Sequence, residues 1–397
     1  MLKFYASKFV QFEAWYFHTG ELNDRVKIAL FIRCRDCDSP TGAARASSTT
    51  DPVHIVFRYV GQIVIVDIAL DISTTQDNPT IDFRMLKEAI RTIGLSISAN
   101  TLIIVETTVA PGTCERVIVP ILHEECEKRG ISKDSIQIAH SYERVMPGEK
   151  YLDSIVNYWR VYAGYTEEAA CFCGKFLETI INTKEFPLTK LSTMSASETA
   201  KIMENSYRAT NIAFIDEWSK FAESIEVDLH EVIRAIAIRP THSNIRYPGV
   251  GVGGYCLTKD PMFAPVAAKQ LFGLAELSFP FINLTKKINQ EMPKHVIACL
   301  ERIMTNGLVG KKVMIFGVSY RPDIGDSRYS PTETLVRELK RRGATVLIND
   351  PLLEYWEEMK IKVPKKLPSR KIDGAILAVG HTDYQDDKMF DWLLEYT

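Results

Sequence analysis

The stretch NTLIIVETTVAPGT, Asn100–Thr113, indicates the fold, because a short run of Leu, Ile and Val ends in threonines and then in Pro-Gly. Such an apolar run, bounded by turn residues, is typical of a buried strand in a parallel sheet. A similar run, QIVIVDIAL, forms Gln62–Leu70, and the segment between them, Thr80–Ile97, has helical spacing. Strands that alternate with helices predict βαβ units around a parallel sheet.

The predicted strand ends indicate where this sheet binds a ligand. Ligands bind outside the carboxyl ends of the strands in open α/β sheets. Thr107 and Thr108 follow one strand, and the loop 142–148 follows the next strand, SIQIAH. We therefore expect these residues on the binding face of the sheet.

A long helix is predicted over Ser195–Ile225, and Ser195 and Glu198 have the spacing of a capping box. Lys201, Asn205 and Arg208 follow at i, i+4 and i+7, so they share one face of this helix. The face is either a solvated stripe or a buried polar stripe, and a buried stripe requires partners for its polar groups.

The strand and helix alternation restarts at GKKVMIFGVSYRPD, from Gly310, after the helical middle of the chain. The predicted fold class is α/β, with two Rossmann-like parallel-sheet domains joined by a central helical domain, the first domain being incomplete. The expected boundaries are a first segment 1–44, an α/β domain 45–190, a central helical domain 191–303 and a second α/β domain 304–397.

The composition is that of an ordinary soluble globular protein, with 397 residues, 46% hydrophobic and 25% charged residues, and a net charge of -2. No global charge favours nucleic acid or a membrane surface, and no apolar run reaches the length of a membrane span. The eight cysteines lack disulfide spacing and indicate a reducing cytoplasm. Cys34-x-x-Cys37 has no second pair nearby, so we predict no metal site.

The loop YPGVGVGGYCLTKDPMF, Tyr247–Phe263, concentrates glycines before Cys256, Lys259 and Asp260. Glycines allow a positive φ or a close approach of the backbone to another group. A lone cysteine is more often buried and inert than reactive, so the loop alone leaves its role open. A thiol hydrolase built on Cys256 needs a histidine base, and His242 is the only one close in sequence.

Six pieces of the sequence, taken together and in order, resemble the UDP-glucose/GDP-mannose dehydrogenase family. They are VETTVAPGT, YERVMPGEKYL, SETAKIMENSYRATNIAFIDE, PGVGVGGYCLTKDP, KKINQEMP and FGVSYRPDIGDSRYSP, and ASSTTDP at Ala46–Pro52 is a further candidate. The resemblance implies NAD-dependent oxidation of the C6 alcohol of a UDP-sugar to a carboxylate, in two steps. It also implies a homodimer formed through the long helix. On this resemblance residues 1–44 are unmatched, 45–190 form an NAD-binding-type domain, 191–303 a dimerisation domain and 304–397 a UDP-binding-type domain.

The resemblance assigns chemistry to matching residues. Cys256 matches the nucleophile that forms a thiohemiacetal and then a thioester, and Asp260 matches the carboxylate that positions or deprotonates water. Lys201 matches an amine that stabilises an oxyanion, with Asn205 as its partner. Thr108 matches the threonine that holds the catalytic water, and Glu143 matches the general base.

The resemblance also assigns binding residues. Those expected at the cofactor, NAD, are Thr108, Lys259 and Arg328. Those expected at the UDP-sugar are Glu143, Arg144, Lys201, Asn205, Arg239, Arg246, Tyr247, Gly253 and Arg321. Among them Arg246 and Arg321 match contacts to the diphosphate, for which a fork-shaped guanidinium is suited. Arg239 resembles an arginine that reaches the sugar site of the neighbouring subunit.

Two departures from the family bear on function. The sequence has GGYC, with Tyr255, where the amino-sugar branch usually has GGHC and the glucose branch usually has GGSC. Other motif forms favour a UDP-N-acetylhexosamine as substrate, with UDP-glucose as the alternative. The N-terminal G-x-G-x-x-G and its following acid are absent. We therefore expect a damaged or partial first βαβ unit, with Ile63–Ala69 near an exposed sheet edge, or else a substitute formed by residues 1–44. The second candidate function is a non-catalytic nucleotide-sugar-binding or assembly protein.

Overall fold

The computed structural model describes residues 2–5, 10–17, 27–34, 63–73, 79–145, 148 and 150–397, the first three ranges as backbone strands only. The predictions on Cys37 and on Ala46–Pro52 lie outside these residues. The chain divides into two units. The first unit comprises Met1–Glu204 and Met262–Ser278, and the second comprises Asn205–Pro261 and Phe279–Thr397.

The first unit is built on a sheet in which, among the described residues, eight strands lie side by side in sequence order. Its strands are β1 (Leu2–Tyr5), β2 (Val10–Phe17), β3 (Lys27–Cys34), β4 (Ile63–Val66), β5 (Leu102–Val105), β6 (Gln137–His140), β7 (Val161–Gly164) and β8 (Thr189–Lys190). The pairs from β3 to β6 are parallel, whereas β1–β2, β2–β3 and β6–β7 are antiparallel.

The register of the parallel strands aligns their carboxyl ends. Val66 pairs with Val105, and Val105 pairs with His140. The strands β4, β5 and β6 are buried at every position, as expected for a parallel sheet that is covered on both faces. This confirms the α/β class and the predicted βαβ alternation, and it places the segments after Val105 and His140 along one edge.

The expectation that Ile63–Ala69 lies near an exposed sheet edge is wrong. Strand β4 pairs with β5 on one side and with β3 on the other, so Ile63 lies opposite Ala29 and Val66 opposite Ile32. A parallel neighbour drawn from the first 34 residues therefore satisfies the hydrogen-bonding groups that an edge strand would leave open. The N-terminal segment thus supplies a neighbouring strand, and a substitute for the glycine turn stays a prediction.

Helices cover the sheet of the first unit. They are α1 (Arg84–Gly94), α2 (Val119–Lys128), α3 (Tyr151–Val156), α4 (Glu167–Glu178), the start of α5 (Met194–Ser224) and α8 (Phe263–Gln270). Cys173 and Leu177 of α4 pack with Ile65 and Ile104 in one core cluster. A short π-helical turn, Cys114–Ile118, leads into α2.

The predicted capping box at the start of α5 is wrong. The side chain of Thr193 accepts a hydrogen bond from the amide of Ala196 at 3.0 Å, so Thr193 is the residue that caps this helix. Ser195 instead donates to Glu115 Oε2 at 2.9 Å, and the Glu198 carboxylate accepts from the amides of Gly112 and Cys114. Ser195 and Glu198, the two side chains that the local spacing assigned to the cap, therefore form tertiary hydrogen bonds instead.

The second unit contains the rest of α5 and a second α/β layer. Its other helices are α6 (Leu229–Ala237), α7 (Tyr255–Lys259), α9 (Pro280–Ile303), α10 (Pro331–Arg341) and α11 (Asp387–Tyr396). Its strands are β9 (Lys312–Phe316), β10 (Thr345–Asn349), β11 (Tyr355–Trp356), β12 (Ile361–Lys362) and β13 (Gly374–Leu377). Strands β10, β9 and β13 form a parallel sheet in that order.

Local sequence signals set the helix ends of the second unit. The side chain of Ser330 caps α10 by accepting from the amide of Thr332, and Asp228 caps α6 by accepting from the amide of His230. Val313, Ile315, Leu335 and Trp356 belong to one buried cluster between sheet and helices. None of the helices in the described part of the chain combines the length and hydropathy needed to cross a bilayer.

Candidate active site

In the first unit, the structure brings Lys201 and Glu143 together. The Lys201 ammonium donates to the Glu143 carbonyl oxygen at 2.7 Å and lies 3.8 Å from Glu143 Oε1. It also lies 5.4 Å from the centre of the Tyr142 ring. Lys201 is only 6% exposed, so the predicted polar stripe of α5 is buried here. Its charge is satisfied by groups of the loop that follows β6.

Arg144, in the same loop, is held by Glu204 of α5. Its guanidinium donates to both carboxylate oxygens of Glu204 and to the Trp159 carbonyl oxygen, the last at 2.6 Å. The Tyr142 hydroxyl donates to the same carboxylate at 3.0 Å. Burial and the Glu204 charge together raise the pKa of Tyr142 above its usual value. Arg144 thus fixes the position of the loop, and its role towards a substrate stays a prediction.

Thr108 and a buried histidine that sequence reasoning missed lie at the carboxyl ends of β5 and β6. Thr108 is half-buried, three residues beyond the end of β5. His140, at the end of β6, is fully buried, and its Nδ1 lies 2.9 Å from Ser197 Oγ. Burial lowers the pKa of His140 to about 3, so the ring is neutral. Within the described residues its Nε2 has no hydrogen-bond partner.

The same unit offers a test of whether its residues fit a dinucleotide. A helix that follows a strand of such a sheet usually holds the pyrophosphate with its first amides. Here the amides of Gly112 and Cys114 donate instead to the Glu198 carboxylate, at 2.5 and 2.7 Å. Burial raises the pKa of Glu198 to about 7. This turn is filled by a side chain of the protein, and no G-x-G-x-x-G precedes Asp51 in the sequence. The turn at Gly112–Cys114 is therefore not available to the pyrophosphate of NAD.

In the second unit, the glycine loop packs closely against its own protein. Gly251 and Gly254 have φ of 118° and 83°, which side-chain-bearing residues rarely adopt. A Cβ at Gly254 would lie 2.7 Å from the Tyr320 ring, and a Cβ at Gly253 would lie 2.7 Å from Tyr320 Cβ and 2.9 Å from the Tyr329 carbonyl oxygen. Close packing thus accounts for these glycines, and the substrate contact of Gly253 stays a prediction.

The loop leads directly into α7, which carries three predicted site residues at or next to its ends. Cys256 is exposed, whereas Lys259 and Asp260 are 8% and 0% exposed. Lys259 Nζ donates to Asp260 Oδ1 at 2.9 Å, and Asn205 Nδ2 donates to Asp260 Oδ2 at 2.6 Å. Arg208 in turn donates to Asn205 Oδ1. The structure thus joins Asn205, Lys259 and Asp260 in one buried, hydrogen-bonded group close in sequence to an exposed thiol.

Asp216 of α5 is a buried carboxyl group that the sequence analysis did not single out. One of its oxygens accepts from the amide of Gly249, in the glycine loop, at 3.2 Å. Its Oδ2 has no hydrogen-bond partner among the described residues. Burial raises the pKa of Asp216 to about 7.

Arg321 lies in a loop after β9 that is fixed by a second buried carboxylate, Asp350. Asp350 Oδ2 accepts from the amides of Val318 and Ser319 at 2.8 and 3.0 Å, and its Oδ1 accepts from Leu352 and Leu353. His381, also fully buried, lies 3.2 Å from Asp350. These hydrogen bonds hold the pKa of Asp350 well below its usual value. Arg321 itself is exposed.

Other predicted binding residues of the second unit lie on its surface or pair with neighbours. Arg239 and Arg246 are exposed, and the Tyr247 ring stacks on His230 with centroids 5.4 Å apart. Arg328 forms a two-pronged ion pair with Asp326, its closest contact being 2.8 Å. Their roles towards UDP-sugar or cofactor stay predictions.

Both units thus have the α/β architecture of nucleotide-binding proteins, and comparison with known families specifies the class. Sequence models of the UDP-glucose/GDP-mannose dehydrogenase family match three consecutive parts of the chain. They are the NAD binding domain at residues 59–181, the central domain at 195–291 and the UDP binding domain at 314–395. The chain belongs to this family. The match of residues 59–181 confirms NAD as the cofactor implied by the resemblance.

Individual relatives support the amino-sugar branch. The chain is 32% identical over 311 residues to a UDP-N-acetyl-D-mannosamine dehydrogenase of Methanocaldococcus jannaschii, an alignment that covers 78% of this chain. The solved UDP-D-ManNAc dehydrogenase of Pyrococcus horikoshii superimposes with a TM-score of 0.70 at 25% identity, over 82% of this chain and 73% of that one. An NDP-N-acetyl-D-galactosaminuronic acid dehydrogenase of Methanosarcina mazei gives 0.69 at 27% identity, over 82% and 69%.

The matched region is shorter than these relatives. It spans 66% of the Methanocaldococcus jannaschii protein and 59% of a UDP-N-acetyl-D-mannosamine dehydrogenase of Methanococcus maripaludis.

Proposed function

We propose that this chain oxidises the C6 alcohol of a UDP-N-acetylhexosamine to the uronic acid through a covalent intermediate on Cys256, with UDP-glucose as the competing substrate. The observation that carries the proposal is the buried group of Asn205, Lys259 and Asp260, in which Asp260 follows the exposed Cys256 by four residues. A carboxylate held by two donors, one helical turn along the chain from a thiol, suits acyl transfer to water. The relatives named UDP-N-acetyl-D-mannosamine dehydrogenase favour the amino sugar.

The chemistry requires two oxidations and one covalent capture. After the alcohol has become an aldehyde, the Cys256 thiolate adds to the aldehyde carbon, and the carbonyl oxygen takes up a proton to give a thiohemiacetal. Loss of a hydride and of that proton gives a thioester, which water cleaves into the carboxylate and the free thiol. The chemistry that NAD supplies when bound is acceptance of the hydride in each oxidation. Covalent capture retains the aldehyde between the two oxidations.

Asp260 is the candidate base for the final hydrolysis. Its two oxygens each accept one hydrogen bond, from Asn205 and Lys259, and each keeps a further acceptor site. The fixed carboxylate orients a water molecule and takes its proton as the water attacks the thioester. Lys259 counters the negative charge that Asp260 carries. Thr108 is proposed as the residue that holds the water.

Lys201 and Glu143 are proposed to act on the sugar alcohol. Lys201 uses one of its three N–H groups to donate a hydrogen bond to the Glu143 carbonyl oxygen, so two further donors remain. A buried ammonium stabilises negative charge on the reacting oxygen more strongly than an exposed one. Glu143 is the candidate general base, since its carboxylate lies on the loop that holds this ammonium.

The proposed substrate contacts include two arginines for the diphosphate, Arg246 and Arg321, both of which are exposed. The UDP-sugar contacts predicted for Arg144, Tyr247 and Gly253, and the cofactor contact of Arg328, are part of the same proposal. A homodimer through α5 is also proposed. Its support is an exposed aromatic stripe at i, i+4 and i+7, made of Phe214, Trp218 and Phe221, which are 53%, 47% and 55% exposed. Arg239 would then serve the partner's sugar site.

The missing glycine turn favours a second candidate, a protein that binds a nucleotide sugar without oxidising it. The two candidates differ in NAD binding, because the second has lost that site. A titration of the full chain with NAD, followed by protein fluorescence, separates them. Saturable binding in the micromolar range supports the dehydrogenase. A UDP-sugar thermal shift without NAD binding supports the second candidate.

The substrate is identified by supplying UDP-ManNAc, UDP-GlcNAc, UDP-GalNAc and UDP-glucose in turn, with NAD, and following NADH by its absorbance. We expect the highest kcat/KM with one of the N-acetylhexosamines. Faster turnover of UDP-glucose would contradict the assignment to the amino-sugar branch, whereas NADH formation with none of them would contradict the proposed reaction.

A further inference from the structure

Three side chains of the second unit that the proposed reaction does not use converge on a single point. Glu223 extends from the last turn of α5, and His295 and Cys299 extend from α9 at i and i+4. His295 Nε2 lies 3.0 Å from Glu223 Oε2 and 3.5 Å from Cys299 Sγ, and Cys299 Sγ lies 3.2 Å from Glu223 Oε2. The three donor atoms thus form a small triangle.

The geometry excludes a nucleophile relay as the reason for this convergence. In a relay, the histidine uses one ring nitrogen for the nucleophile and the other for the carboxylate. Here the same nitrogen, Nε2, faces both the thiol and the carboxylate. Three different donors that share a common point are instead the arrangement by which proteins bind a metal ion.

The distances match a tetrahedral ion of the zinc class. Bonds of about 2.0–2.3 Å to nitrogen, oxygen and sulfur place the donor atoms of a tetrahedral site roughly 3.3–3.8 Å apart. The observed separations of 3.0, 3.2 and 3.5 Å lie close to this range and require only small side-chain adjustments. Imidazole, thiolate and carboxylate are together the ligand set of Zn²⁺ and Co²⁺ rather than of Mg²⁺ or Ca²⁺.

We propose that Glu223, His295 and Cys299 form a binding site for a divalent ion of the zinc class, with a fourth position open to solvent. The side chains of His295 and Glu223 are 20% and 38% exposed, so an ion can enter directly from water. A thiolate and a carboxylate balance the charge of a divalent ion. The bound ion would join the end of α5 to α9 within this unit.

Arg302 competes with the ion for the same ligands. Its guanidinium lies 2.9 Å from Glu223 Oε2 and 3.0 Å from Cys299 Sγ. The Arg302 side chain is 58% exposed and lies next to the end of α9, so it can turn into solvent. Removal of this positive charge should therefore strengthen metal binding, a result that a site of another kind does not predict.

The test is a titration of the full chain with Co²⁺ under anaerobic conditions, followed by the near-ultraviolet sulfur-to-cobalt charge-transfer band. The wild type should develop this band at one ion per chain. Cys299→Ser should lose the band and bind Co²⁺ at least about tenfold more weakly. Cys171→Ser, at an exposed cysteine of α4, is the matched control and should keep both.

Arg302→Gln keeps the test informative if Cys299→Ser folds poorly. We expect this variant to bind Co²⁺ about fivefold more tightly, since the competing positive charge is removed. A wild type without a charge-transfer band would overturn the proposal. It would also be overturned if the band persisted unchanged in Cys299→Ser, or if Arg302→Gln bound Co²⁺ no more tightly. None of these results bears on oxidation through Cys256.

Discussion

The amide of Asn205 donates to Asp260 Oδ2 at 2.6 Å, and both residues are fully buried. Asn205 stands on the long helix α5, whereas Asp260 ends the segment that carries Cys256. An amide group is a neutral donor, so the contact fixes the orientation of the carboxylate without adding charge. Lys259 supplies the charge from the other side of the carboxylate, at 2.9 Å.

Asp260→Asn should destabilise the protein as well as slow thioester hydrolysis. Lys259 is 8% exposed, and loss of its ionic partner would leave a buried ammonium beside a neutral amide. We expect the free energy of unfolding to fall by about 3 kcal/mol. Urea unfolding measures this change. Asp386→Asn, at an exposed carboxylate that caps α11, is the control, because asparagine caps a helix equally well. Equal stability of the two variants would show that Lys259 and Asp260 do not depend on each other.

Asp216→Asn should change how stability depends on pH. The pKa of Asp216 is raised from 3.8 to about 7 in the folded protein by burial. Below pH 3.8 the group is protonated in both states and costs nothing. As pH rises towards 7, the unfolded chain loses this proton while the folded protein keeps it, so stability falls through this window.

Asparagine cannot ionise, so the variant should lack this loss of stability. Between pH 4 and pH 8 the unfolding free energy of the wild type should decline by roughly 2–4 kcal/mol more than that of Asp216→Asn. The comparison of slopes isolates Asp216, because other buried carboxyl groups, such as Glu198, are common to both proteins. Parallel pH profiles would mean that Asp216 is ionised and solvated in the folded state.

Asp350→Asn should weaken binding of UDP. The carboxylate accepts hydrogen bonds from the amides of Val318 and Ser319, which begin the loop that carries Arg321. An amide group in its place turns one acceptor into a donor that faces backbone N–H groups. We expect an increase of about tenfold in the dissociation constant of UDP, measured by calorimetry.

The matched control for that experiment is Glu354→Gln. Glu354 pairs with Lys365 on the surface of the same unit, and its side chain is 81% exposed. Exposed ion pairs contribute little to stability, so this variant should bind UDP as the wild type does. If Asp350→Asn binds UDP with wild-type affinity, the loop is not positioned by Asp350, and the proposed diphosphate contact of Arg321 loses its support.

The elements with strong local patterns could be predicted from the sequence. The strands at Ile63–Val66 and Leu102–Val105 are short runs of β-branched and aliphatic residues, and the sequence of α5 keeps helical periodicity over a long stretch. The starts of α10 and α6 could be predicted from Ser330 and Asp228, because a capping side chain acts on residues next to it in sequence. The parallel pairing of β3 with β4 could not be predicted, since no motif in residues 27–34 specifies a neighbour.

The same distinction applies to the candidate site. Cys256, Lys259 and Asp260 are close in sequence, so their association was visible there. The partners Glu198, Asp216 and Asp350 were missed because each acts on a backbone amide far away in the chain, at Gly112, Gly249 and Val318. Hydrogen bonds to backbone amides leave no residue pattern at the receiving position. The two glutamate contacts of α5, through Glu198 and Glu204, depend on the folded loops in the same way.

The most direct test of the account is the number of NADH molecules formed for each UDP-sugar consumed, measured to completion with limiting sugar and excess NAD. For the wild type we predict two NADH per sugar, with a uronic acid as product. Cys256→Ser should form no NADH beyond the aldehyde stage, whereas Cys171→Ser should behave as the wild type. One NADH per sugar with an aldehyde or ketone as product, or an unchanged yield of two in Cys256→Ser, would contradict covalent oxidation through Cys256.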